Sequence, residues 1–77
     1  MKYYLFKTRD AIRVNFVEKN IIVKRIAFSF GKRQHDREVN RFLGMNINKY
    51  IEEQTHIVGD GRVIKEISEA EAFEICL

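Results

Sequence analysis

Apolar and polar positions alternate through the first third of the chain. Ile12, Val14 and Phe16 are separated by Arg13 and Asn15, the period-two pattern of a strand with one buried face. Lys2 to Phe6 supplies a partner strand, with Lys7 to Asp10 as the turn between them. After Val17, Glu18-Lys19-Asn20 fits a three-residue hairpin loop, because Asn tolerates the left-handed position at its end. Ile21 to Phe30 then returns as a third strand with Ile22, Ile26, Phe28 and Phe30 on one face, and Gly31 ends it. A helix over the same residues, capped by Asn20, competes with this reading; the β-branched and aromatic content favours the strand. Pairing Val17 with Ile21 sets Asn15 opposite Val23 and Arg13 opposite Arg25. Like charges placed opposite each other ask for an anion between them, either a carboxylate of Glu52, Glu53 or Glu66, or else a phosphate or an acidic side chain of a partner. The same register puts Lys24 on the inward face beside Ile22 and Ile26, which requires either that its stem snorkel at the sheet edge or that the strand take a different register.

From Asp36 onward the period becomes helical. Val39, Phe42, Leu43, Ile47, Tyr50 and Ile51 fall along one side. Gly44 interrupts that side, and glycine is costly inside a helix but favourable just past its end. The stretch is therefore either one kinked helix or two short helices meeting at Gly44-Met45, with Asp36 able to cap the first and Asn46 the second. Ile57 to Ile64 reads as two short strands around a Gly-Asp-Gly turn. Ser68 and Glu71 then form a capping box that opens a last helix running to about Leu77. The expected fold is a single α+β domain over residues 1 to 77. It consists of an antiparallel three-stranded meander, one kinked or two short helices against its apolar face, a small β-hairpin and a C-terminal helix.

Residues 36 to 73 resemble the helix-turn-helix and excisionase-like winged-helix DNA-binding proteins of bacteria and phages. That family places an aliphatic residue, then Leu-Gly, then a hydrophobe six residues beyond the glycine, and Val39, Leu43-Gly44 and Tyr50 match. The hairpin at 57 to 64 stands where a winged helix carries its wing. Two features depart from the pattern: Asn40 occupies a position usually held by a small residue, and Lys49 is followed by Glu52 and Glu53, which repel phosphate. The resemblance implies a DNA-binding regulator in which Asn46, Asn48 and Lys49 approach base edges, Arg37 and Arg41 contact phosphate, and Arg62 and Lys65 contact backbone from the wing. It also implies a homodimer that pairs half-sites.

The charge distribution is compatible with such a partner. Net charge is only +3, but residues 1 to 35 hold nine cations against Asp10 and Glu18, while residues 36 to 77 hold five cations against nine acids. One half of the chain is thus able to form a basic surface for phosphate or for an acidic protein. The rival to DNA binding is a protein-binding module, a small inhibitor or adaptor, that presents Arg13 and Arg25 on a basic sheet face. A third reading is an RNA binder using Tyr3, Tyr4 and Phe6, which requires those rings to be exposed.

Composition narrows the remaining classes. Hydrophobic content of 45% with 32% charge describes a folded domain. No apolar run approaches the roughly 20 residues of a membrane span, and the first residues are too soon charged for a signal peptide, so a cytoplasmic protein is expected. Cys76 is the only cysteine, and His35 and His56 lie far apart in sequence, so no cysteine-rich zinc site, cofactor or catalytic constellation is expected. Gly59-Asp60-Gly61 lacks the lysine and further glycines of a phosphate loop. The protein reads as a binding protein rather than an enzyme.

Overall fold

The computed structural model describes residues 1–34, 41–56 and 63–76. β1 (Lys2–Lys7), β2 (Ala11–Glu18), β3 (Ile21–Ser29) and β4 (Lys32–Gln34) form an antiparallel meander. α1 (Ile47–His56) follows, then β5 (Val63–Ile67) and α2 (Glu69–Cys76). The sheet has the order β4-β3-β2-β1-β5, so the last strand returns to lie against the first. The α+β class matches the expected one. The meander, however, has four strands rather than three, because the chain turns at Phe30-Gly31 and continues as β4. Val63 and Ile64, expected in the second half of the small hairpin, belong to β5, which pairs with β1 as an edge strand. The first half, Ile57 to Arg62, lies outside the described residues, as do Asp36 to Asn40, where the first helix of the resemblance would fall.

Both tight hairpins use two-residue loops with positive φ at each central position: Lys19 (φ 52) and Asn20 (φ 67), then Phe30 (φ 51) and Gly31 (φ 78). Such turns match the right-handed twist of the strands they join. The β2–β3 loop is one residue shorter than the Glu18-Lys19-Asn20 loop read from the sequence. Val17 therefore pairs with Ile22 rather than Ile21, and a bulge follows at Val23 that moves the register by one. Beyond it Asn15 faces Arg25, and Arg13 faces Ala27, so the like-charge pairing of Arg13 with Arg25 does not form.

The bulge also divides the side chains of β3 between the two faces of the sheet. Tyr3, Leu5, Val14, Phe16, Ile26 and Ile67 pack with Ala72 of α2, joined by Ile12, Phe28, Ile75 and Cys76. Val17 and Ile22 pack with Ile47 and Tyr50 of α1, joined by Tyr4, Phe42, Met45 and Ile51. Each face is thus covered by one helix. Ile22 belongs to the α1 face and Ile26 to the α2 face, so the expectation that both lie on one side is corrected. Lys24 pairs with Phe16 on the α2 face, exposed, with its ammonium 5.3 Å from the centre of that ring.

The helices start where local chemistry allows. Gly44 takes φ 87, a left-handed conformation that rules out one helix running through it. Asn46 Oδ1 accepts from the Asn48 N–H at 2.8 Å and caps α1. The strip before the helix is stitched to β3: Gly44 N–H donates to Ile22 O, Ile22 N–H to Met45 O and Ile47 N–H to Asn20 O. At α2 the capping box forms, with Glu71 N–H donating to Ser68 Oγ at 3.1 Å and Ser68 N–H to Glu71 Oε1 at 3.5 Å.

Phe30 is the costly residue of this backbone. It is 78% exposed and left-handed, a conformation that costs an L-residue about 1–2 kcal/mol and that a bulky side chain seldom adopts. Phe30→Asn keeps the turn and removes most of that penalty, so it should raise unfolding stability by about 1 kcal/mol, read as a higher urea midpoint at unchanged m-value.

Candidate nucleic-acid interface

On the α1 face, Arg25 is enclosed rather than presented. Its residue exposure is 7%, and Asn15 opposite it is fully buried at 0%. Arg25 Nε donates to Asn15 Oδ1 at 2.6 Å and Nη2 to the Tyr50 hydroxyl at 3.1 Å. The guanidinium lies 4.6 Å from the Phe42 ring centre and 5.2 Å from that of Tyr50, a stacking geometry that favours a cation. Burial pulls the Arg25 pKa down; the Tyr50 oxygen opposes this and the Arg13 charge adds to it. Arg13 lies half-buried over the Phe6 ring at 5.3 Å. The exposed sheet face expected of Arg13 and Arg25 together is therefore absent, because Arg25 is part of the packing beneath α1. Tyr3 and Phe6 are likewise buried and Tyr4 half-buried, so these three do not form the exposed aromatic set that the RNA reading required.

The other residues singled out in the sequence separate into two groups. Asn48 and Lys49 are exposed on the outer side of α1, next to the exposed Glu52 and Glu53. Asn46 is exposed too, but its carboxamide oxygen is committed to the cap. Arg41 is exposed in the turn before Gly44, with its guanidinium 5.4 Å from the Phe42 ring centre. Lys65 belongs elsewhere. It pairs with Leu5, which places it on the α2 face, on the opposite side of the sheet from Asn48 and Lys49. Arg37 and Arg62 lie outside the described residues, as does His35.

The register brings together cations that sequence reasoning did not group. At the end of the sheet where β1 finishes, one rung on the α2 face runs Arg33, Phe28, Ile12, Lys7, Val63 across β4, β3, β2, β1 and β5. Arg33, Lys7 and Val63 are exposed, while Phe28 and Ile12 are half-buried. Lys65 lies one rung further along the same face. Among the described residues, Lys7, Arg33 and Lys65 make no ion pair. Asp10, the one carboxylate in the two turns at this end, is 3.7 Å from Arg9. Burial raises the Cys76 thiol pKa and the charges of Arg33 and Lys24 oppose it; Ile75 and Cys76, at the end of α2, pack against the same cluster as Ile12 and Phe28. A signal for Lys7 was present in the sequence, since it continues the Tyr3-Leu5 alternation onto the packed face. Arg33 gave none, because a three-residue strand shows no periodicity.

Among the described residues, no group of three or more His, Cys, Asp or Glu side chains is placed to hold a metal. No described helix is long and apolar enough to cross a membrane. Compared with protein-family models, characterised proteins and solved structures, the chain matches none.

Tyr50 anchors Arg25 and also meets Phe42 edge-on at 5.2 Å and Phe6 at 6.4 Å. Tyr50→Phe keeps these ring contacts and removes only the hydroxyl that accepts from Arg25. A hydrogen bond to a charged group contributes about 1.5–3 kcal/mol, so urea unfolding should show a loss of about that size.

Proposed function

We propose that the protein is a small, non-enzymatic nucleic-acid-binding regulator of bacterial or phage type whose basic surface contacts phosphates. The observation that carries this reading is the group of exposed cations, Lys7, Arg33 and Lys65, on one face of the sheet with no described carboxylate paired to them. A folded domain gains little from holding like charges together, whereas a polyanion whose phosphates these cations neutralise releases its condensed counterions to solvent and binds with favourable free energy. Arg41 and Lys49 add exposed cations on the α1 side. The DNA form of the reading assigns base contacts to Asn48 and Lys49 on the outer face of α1, with Asn46 held back by its capping bond. An acidic protein partner is the lesser reading, since the burial of Arg25 removes half of the arginine pair it relied on.

A fluorescence anisotropy titration of a labelled duplex at about 50 and 200 mM salt tests the proposal. If about four phosphates are neutralised, affinity should fall about 100-fold over that range. Asn48→Ala combined with Lys49→Ala should weaken duplex binding where α1 reads the groove. A protein that fails to bind duplex or single strand at micromolar concentration in low salt is not a nucleic-acid-binding protein.

A further inference from the structure

The geometry points to a single-stranded nucleic acid as the ligand of the α2 face, laid across the Arg33, Phe28, Ile12, Lys7, Val63 rung with a base stacked on Phe28 or Phe30. This rests on the nucleic-acid reading above and specifies its strandedness and its site.

Three observations carry it. The first is shape. Arg33, on the edge strand β4, and Lys7 are three strand spacings apart, about 14 Å, so the rung spans a broad, flat part of the sheet face. A duplex major groove about 12 Å wide admits a helix or a two-stranded ribbon and cannot take in such a face. The second is chemistry. Cations end the rung near each edge, and a half-buried ring and an isoleucine lie between them. A duplex offers this apolar centre nothing, because its bases are stacked inside; a single strand offers phosphates to the cations and a base to the ring. The third is strain. Phe30 follows Phe28 by two residues at the tip of the same hairpin and is 78% exposed in a left-handed conformation. The ring gains little from packing, and an observed backbone outlier on a surface is a reason to look for a role in binding.

The first-turn carboxylates of α2 lie toward the other end of this face. α2 begins two residues after Ile67, which pairs with Tyr3 at the far end of β1, so its first-turn carboxylates Glu69 and Glu71 start about 13 Å along the strand from Lys7. Lys24 and Arg33 also complement the negative C-terminal end of α2, whereas no such structural use appears for Lys7 among the described residues. Stacking and backbone charge are offered equally by RNA and DNA, so a deoxythymidine strand is a sufficient probe.

The test is an anisotropy comparison of a labelled oligodeoxythymidine of about 12 nucleotides with a duplex of the same length, using the full chain. The single strand should bind at least ten-fold more tightly. Phe30→Asn, a surface change, should weaken single-strand binding about five-fold or more and leave the salt slope in place, as expected when a stacking contact is lost. Lys7→Gln with Arg33→Gln should instead reduce the slope of log affinity against log salt by about 1.4, for two phosphates on a single strand. Equal binding of strand and duplex, or unchanged single-strand affinity in both variants, overturns the inference. If Asn48→Ala with Lys49→Ala then abolishes duplex binding, the nucleic-acid reading survives on α1 alone. No binding of either nucleic acid overturns both.

Discussion

Side chains alternate between the faces of a strand, so one extra residue reverses the assignment of everything beyond it. Val23 is that residue in β3. Before it, Ile22 points to α1; after it, Arg25 does, while Ile26 and Phe28 join the core under α2. Without the bulge, Arg25 would oppose Val14 and enter the α2 core with no Tyr50 or Asn15 to receive it. Ile26 would be lost from the packing beneath α2, and β4 would carry Arg33 to the other face and bring Lys32 to this one. The bulge thus sets both cores and, through the pairing of Phe28 with Arg33, the composition of the basic rung. Bulges strengthen local twist and re-aim side chains, and here both consequences reach the surface that we assign to binding.

The same shift explains why part of the basic surplus of the first half of the chain is internal. A buried guanidinium is costly unless its donors are received. Asn15 and Tyr50 receive two of them, and the rings of Phe42 and Tyr50 supply a polarisable lining. Asn15 Nδ2 remains buried without a hydrogen-bond partner, a local cost comparable to losing one hydrogen bond, about 1–3 kcal/mol. The fold accepts it to keep Asn15 Oδ1 facing Arg25. Counting charges along the chain therefore overstates the basic surface, and only the sheet register shows which cations reach solvent.

Local signals were legible in the sequence and non-local ones were not. The Ser68–Glu71 capping box, the Asn46 cap and the alternation of Ile12, Val14 and Phe16 each depend on residues within one turn or one strand, and each appears in the structure. Val23 left no mark, because valine suits a regular strand as well as a bulge. β4 is three residues long, below the length at which any period is readable. The position of β5 depends on pairing with β1 some sixty residues earlier in the chain, which local pattern does not encode. The site divides along the same line. The resemblance singles out both Lys49, on the reading helix, and Lys65, on the wing, whereas the sheet places Lys65 on the face opposite α1, with Lys7.

Marginal stability sharpens the meaning of Phe30. A chain of this size buries only about 60% of its unfolded surface, so its net stability is a few kcal/mol and a left-handed phenylalanine removes an appreciable share of it. The neighbouring hairpin meets the same backbone demand at Lys19-Asn20, with an asparagine at one of its two positions. A polar residue at position 30 would satisfy the geometry at lower cost and would not leave a ring in water. The rung beside it has the complementary excess, cations that make no ion pair among the described residues around a half-covered Phe28. Each excess is unfavourable to the free protein, and both lie at one end of one sheet. A ligand that brings negative charge and a flat apolar surface relieves the two together, and a nucleotide with an unstacked base has both properties.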